Sequence, residues 1–369
     1  MRWLTVILAV IACASGAHAQ GAYSSEHHPF RLTPVAQNLE HPWGIAFLPD
    51  GVILVTERPG RLRLIQEGRL QAEPVRGLPP VAATGQGGLL DVALHPQFAT
   101  NALLYLCHSA EVPGGNTTRI TRARLAGGGL ADARTIFEMQ APDRGGHHFG
   151  CRVGFGSDGM LYATLGERNE RNRAQDLGDH GGKIIRLHED GRIPADNPFV
   201  GRPGARAEIY SWGHRNPQGM ARHPITGQLW ISEHGPLGGD EVNVIQRGGN
   251  FGWPVVTHGR EYWGGTISSE RSRPGLVDTV HVWPRTVAPA GMAFYTGTEF
   301  PRWQGSLFVG GLLDRAVMRL ELAGERVVRE ERLLADFRQR IRHVAQSPDG
   351  RLHILTDASS GGVYRLGPS

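Results

Sequence analysis

Five short stretches of this chain concentrate groups able to do chemistry. His147-His148-Phe149-Gly150-Cys151-Arg152 sets two histidines beside a glycine turn. An imidazole, with an unperturbed pKa of about 6.5, suits a general base. The chain has 17 histidines, however, so most of them must serve structure. Gly213-His214-Arg215-Asn216-Pro217-Gln218-Gly219 packs a cation and an amide into one turn, a setting for an oxyanion or a quinone carbonyl. An Asn-Pro turn with an incidental arginine is the other reading. Glu233-His234-Gly235-Pro236, followed by Gly238-Gly239-Asp240-Glu241, offers carbonyls and carboxylates to a hard cation such as Ca²⁺. It lacks EF-hand spacing, so a solvated acidic loop competes. Arg340 and Arg342, two apart, share a face if they lie on a strand, where they could clamp a carboxylate-rich ligand. Gln86 sits in Gly85-Gln86-Gly87-Gly88, a loop but not a phosphate-binding one, since no Gly-Lys-Ser/Thr follows.

The elements that must position these groups repeat along the chain. One phrase recurs: an apolar strand, a turn with Asp-Gly or a relative of it, a second apolar strand, then a third. It reads GIAFLPDGVILVTERPGRLRLI from Gly44, LLDVALHPQFATNALLYLCHS from Leu89 and RVGFGSDGMLYATLGE from Arg152. It returns as GMARHPITGQLWISEHGP from Gly219, GMAFYTGTEFPRWQGSLFVGGLL from Gly291 and IRHVAQSPDGRLHILTDASSGGVYRL from Ile341. A spacing of roughly 50–70 residues fits propeller blades with long loops. The expected fold is all-β, a six-bladed β-propeller, with two stacked β-sandwiches as the alternative. FRLTPVAQNL, ahead of the first copy, is a lone strand expected to complete the blade begun by the last. Ligands are then expected at one end of the central channel.

Composition agrees. Gly and Pro, 51 and 24 of 369 residues, punctuate many short elements. The formal net charge is +4 and nearly all the cations are Arg, with Lys183 the one lysine. No basic run is interleaved with aromatics, which argues against a nucleic-acid partner. Arg2, the apolar residues 4–12 and the small-x-small triplet Ala17-His18-Ala19 read as a cleavable export signal over residues 1–19. The mature domain then covers residues 20–369, periplasmic or secreted. Val10-Ile11-Ala12-Cys13 also resembles a lipoprotein box, with Cys13 as the anchor. No apolar run is long enough to span a membrane. Cys107 and Cys151 could pair in an oxidising compartment, a question that spacing leaves open.

In order along the chain, HPWGIAFLPDG, GQGGLLDVALHP, HFGCRVGFGSDG, AQDLGDHGGKIIRL, GHRNPQG, SEHGPLGGDEVN, NFGWP and RIRHVAQSPDG resemble the soluble aldose sugar dehydrogenases that depend on pyrroloquinoline quinone (PQQ), of glucose/sorbosone dehydrogenase type. The resemblance implies PQQ over the channel mouth, Ca²⁺ beside it, an aldose substrate, and a small-molecule or protein electron acceptor. The assembly would be a monomer or homodimer. It assigns His148 as general base and Arg215 and Asn216 as contacts to the quinone oxygens. Gln86, Tyr262, Gly311, Leu312, Leu313, Arg340, Ile341 and Arg342 border or hold the cofactor. Gly235 and Pro236 carbonyls resemble ligands of the cofactor-site Ca²⁺, and Glu241 with Phe251 a further calcium site. Three residues depart from the pattern: Leu313 stands where a cofactor-contacting lysine is frequent, Phe251 where tyrosine is usual, and His343 where aspartate is common. Arg315, two residues beyond Leu313 on the expected strand, could reach back toward a cofactor carboxylate, but the expected reading is a solvated outer-edge residue. A calcium-dependent propeller lactonase and a glycan- or protein-binding propeller are the competing functions.

Overall fold

The computed structural model describes residues 21–140 and 142–369; the expected export signal and Cys13 lie outside them. Six antiparallel sheets surround a channel. Their innermost strands are Pro42–Phe47, Leu89–Leu94, Gly150–Phe155, Pro217–Arg222, Pro289–Phe294 and Ile341–Gln346, one from each repeated phrase. Each inner strand touches the next, and the last touches the first. Pro29–Leu39 pairs with Gly361–Pro368, so the N-terminal strand completes blade 6 as expected. The hairpins form because the sequence supplies the turn: Gly51 of Pro-Asp-Gly stands at φ +86°, which a side chain would oppose.

Blades are apolar on both faces and pack face to face. The core is therefore divided among the seams: Leu54, Leu62, Val92 and Leu104 fill the one between blades 1 and 2, and Trp230, Trp283, Phe294 and Leu307 the one between 4 and 5. Cys107 and Cys151 are disulfide-bonded across the seam of blades 2 and 3, with Cα atoms 5.6 Å apart.

Every inner strand loses register near its start, between Pro42 and Ile45, Leu89 and Asp91, Gly150 and Val153, Pro217 and Gly219, Pro289 and Met292, and Ile341 and His343. Buried hydroxyls on neighbouring strands splint these bulges. Thr56 Oγ1 accepts from the Gly44 N–H at 2.8 Å and donates to Leu90 O of the next blade at 2.6 Å. Thr164 does the same with Arg152 N–H and Pro217 O, and Ser232 reaches Ala290 O at 2.8 Å. Each bond contributes about 1 kcal/mol, and the bulges re-aim the side chains at one end of the ring.

The channel is plugged below that end. Arg152 of blade 3 donates to Gln218 O of blade 4 at 2.6 Å, Asp91 of blade 2 at 3.2 Å and His343 Nδ1 of blade 6 at 3.0 Å. Its guanidinium also lies 3.9 Å from the ring centroid of Trp43 in blade 1. His343, where the family resemblance has aspartate as the common residue, is held neutral by burial and the neighbouring Arg152 and thus accepts from a buried cation.

Candidate active site

The candidate groups sit at two kinds of strand end. His41, Gln86, His148, Arg215, Asn216 and Arg340 precede or enter inner strands. Arg58, Glu167, His234, Leu312, Leu313 and Asp357 follow second strands. A chamber of about 480 Å³ opens there, lined among others by Trp43, Arg58, Gln86, Phe149, Leu313 and Arg342.

His148 is buried and enters its strand with φ +49°, while His147 is exposed. The inward turn is held by Gln86, whose Oε1 accepts the His148 N–H at 2.9 Å. The imidazole Nδ1 meets Glu167 Oε2 at 2.5 Å, and the two side chains are only 8 % and 2 % exposed. A carboxylate only accepts, so Nδ1 carries the proton and Nε2 keeps its lone pair for a substrate. Burial lowers the His148 pKa; Glu167 opposes that, and Arg215 and His147 add to it. The ring is therefore neutral at neutral pH, the state a base requires.

The opposite wall is cationic. Arg340 and Arg342 do share a face, and both reach Asp357 Oδ2, at 3.3 and 2.8 Å. His41 Nδ1 holds the other oxygen of Asp357 at 2.8 Å. Arg342 also donates to Gln218 Oε1 at 3.0 Å, and its buried Nε has no partner among the described residues. These groups suit a planar, carboxylate-bearing ligand seated against Trp43 and Phe149.

Arg215 is buried beside blade 4. It donates to the carbonyls of His234 and Gly235 at 3.1 and 2.8 Å and to the Tyr262 hydroxyl at 3.2 Å. Behind it a cavity of about 20 Å³, the room of a single ion or water, is lined by Glu233, Gly235, Glu241 and Phe251 among others. Burial and the neighbouring Glu233 push the Glu241 carboxyl above the usual carboxylate range. Glu233, the half-buried Glu241 and the nearby carbonyls are oxygen donors of the kind Ca²⁺ takes, but Arg215 lines the same space and Glu233 already accepts from His214, Asn243 and the Arg215 N–H.

The remaining sequence-named residues are less direct. Asn216 Oδ1 is spent on the Gly150 N–H and the Gln218 amide, at 3.1 and 3.2 Å, which leaves its own amide group for a ligand. Ile341 points into the apolar seam of blades 5 and 6, so only its backbone is near the mouth. Gly311 is buried in the ladder opposite Pro289, and Pro236 is buried beside Gly259 and lines neither cavity. Arg315 is exposed, in keeping with its reading as a solvated residue; the strand, however, ends at Gly311, residues 312–314 turn and Arg315 stands at φ +52°, so the two-residue alternation with Leu313 does not apply. Arg58, Glu167, His234 and Asp357 were missed. Their shared place, at the end of the second strand of each phrase (TER, LGE, SEH, LTD), was a visible signal.

The family model for glucose/sorbosone dehydrogenases matches residues 39–365. This chain belongs to the glucose/sorbosone dehydrogenase family. It is 45 % identical to the aldose sugar dehydrogenase YliI of Escherichia coli K12 over 336 residues, covering 89 % of this chain and 91 % of that protein. The apo-form structure of the soluble aldose sugar dehydrogenase of Escherichia coli superposes with a TM-score of 0.88 at 43 % identity, over 92 % of this chain and 100 % of that one. The PQQ-bound aldose sugar dehydrogenase of Streptomyces coelicolor superposes with a TM-score of 0.74 at 31 % identity, over 90 % and 96 %. Members of the glucose/sorbosone dehydrogenase family thus share this ring, and at least one is known with PQQ bound. No helix among the described residues is long and apolar enough to cross a membrane.

Proposed function

We propose that the protein oxidises the anomeric C1 hydroxyl of aldose sugars to the lactone, using PQQ with Ca²⁺. The observation that carries this reading is the buried His148–Glu167 pair, tied through Gln86 to the lining of a chamber that also presents Arg58, Arg340 and Arg342. PQQ, when bound, supplies the acceptor for the two electrons and hydrogen leaving C1 as hydride. His148 Nε2 takes the hydroxyl proton, and Glu167 holds the Nδ1 proton and steadies the imidazolium that forms. Arg342 and Arg340, oriented by Asp357, would hold the carboxylate edge of the cofactor, and Arg215 would face its quinone oxygens. The Gly235 carbonyl, Glu241 and the Phe251 carbonyl, whose residues line the one-ion cavity behind Arg215, would hold a Ca²⁺ there. The Cys107–Cys151 disulfide supports a periplasmic or secreted location.

Dye reduction by an aldose, with PQQ and Ca²⁺ added back to metal-stripped apoprotein, tests the reading. Activity that appears only with both is expected. Turnover without PQQ, or none with it, would overturn the assignment.

A further inference from the structure

The chamber wall holds a third guanidinium that neither the sequence motifs nor the roles above assign. Arg58 follows the second strand of blade 1, Ile53–Glu57, and lines the chamber together with Arg340 and Arg342. Asp357 is the one carboxylate in that lining, and His41, Arg340 and Arg342 already occupy it. Three arginines less one aspartate leave two uncompensated positive charges facing the space. Among the described residues no carboxylate pairs with Arg58; it donates one N–H to Gly85 O. Across the chamber, Leu313 is 58 % exposed and offers no donor, and Arg315 lies outside the lining.

The Gly85 contact fixes where Arg58 points. A Cβ on Gly85 would lie 2.3 Å from Gly146 O, so the two loops meet backbone to backbone. Gln86 N–H donates to Gly146 O at 2.8 Å, and Gln86 Oε1 accepts from His148 N–H at 2.9 Å. Arg58 is thereby tethered to the loop that carries the base, with the rest of its guanidinium fork left for an anion.

We propose that Arg58 is a third cationic anchor for the carboxylate edge of the cofactor, supplying from blade 1 the charge that Leu313 cannot supply from blade 5. The proposal rests on the PQQ reading above. A charge-assisted hydrogen bond to a carboxylate sets the scale, about 10- to 150-fold in affinity.

PQQ titrated into apoprotein, followed by quenching of tryptophan fluorescence (Trp43 lines the chamber), provides the test. Arg58→Ala should weaken PQQ binding at least tenfold, and Arg58→Lys should recover part of the loss. Arg58→Gln keeps a donor toward Gly85 while removing the charge, and is expected to weaken binding as Arg58→Ala does. It also stands in should the alanine variant not fold. Arg315→Ala should bind as wild type. Wild-type affinity in both Arg58→Ala and Arg58→Gln would refute the anchor and leave the PQQ reading intact. Failure of the wild-type protein to bind PQQ would remove that reading, and the anchor with it.

Discussion

Replacing Glu167 with glutamine keeps the shape of the side chain and removes the charge beside His148. The two groups are 2.5 Å apart and almost wholly shielded from water. When Nε2 takes the substrate proton the ring becomes a cation, and the carboxylate stabilises it through a charge-assisted hydrogen bond of about 1.5–3 kcal/mol. An amide retains only a dipole there. At 1.36 kcal/mol per decade the expected loss in kcat is about 10- to 150-fold. The pH profile should move as well. Glu167 raises the His148 pKa against the lowering by burial, so its removal lets that pKa fall further. A base works above its pKa, and rate is lost as pH drops through it. The acid limb of kcat/KM in Glu167→Gln should therefore shift to lower pH while the plateau falls. Steady-state dye reduction across pH, with circular dichroism to verify folding, measures both. A folded variant with kcat within twofold of wild type and an unmoved acid limb would refute the positioning role.

His148→Gln should lower kcat by roughly 100-fold or more with little effect on folding, whereas His147→Gln should be nearly silent; the reverse order would show that the wrong histidine was chosen. Calcium added to chelator-treated protein should raise Tm, and Glu241→Gln should shrink that shift, read by differential scanning fluorimetry. Burial depresses His108 and His353 to about 4, so the stability each lends is complete above the unfolded value of about 6.5 and is lost as pH falls toward 4. Urea midpoints should decline through that window, and a flat profile would contradict it. Removing the Cys107–Cys151 bridge, whose partners are 44 residues apart, should cost about 4 kcal/mol in the chain-entropy model; identical urea midpoints for wild type and the double serine variant would argue otherwise.

The ring was legible because a blade is a local pattern. Alternating apolar strands and Asp-Gly turns recur, and six copies reveal closure even when each is weak. Pro29–Leu39 was recognisable as the missing strand because it had no partner of its own. The site was legible where residues share one motif, as with His148 or the Arg340–Arg342 pair. It was not legible where groups from different blades meet. Glu167 is 19 residues from His148, and Arg342 is 124 from Gln218, and neither separation has a periodicity to follow. The bulges were also hidden, since at least three of them are braced by hydroxyls reaching across seams. The strand was carried too far, through Leu313 to Arg315, because alternation was extended past Gly311, where the ladder ends.

The pairing of Phe30 with Pro368 joins the first and last parts of the described chain in one blade. A polypeptide that emerges N-terminus first can stack blades 1 to 5 in order as they appear. Its opening strand, however, must wait for residues 361–368 before its edge is covered. Until then the molecule is an open fan with one bare strand and one bare seam. A closed ring cannot be drawn through a narrow pore, but an open fan can still be unravelled from its free end. The clasp thus makes completion of the chain, rather than any single blade, the event that commits the protein to its final shape. Trimming either terminus should spring the ring at the same seam, between blades 6 and 1, where Leu39 and Val363 pack against Ile45 and Val55.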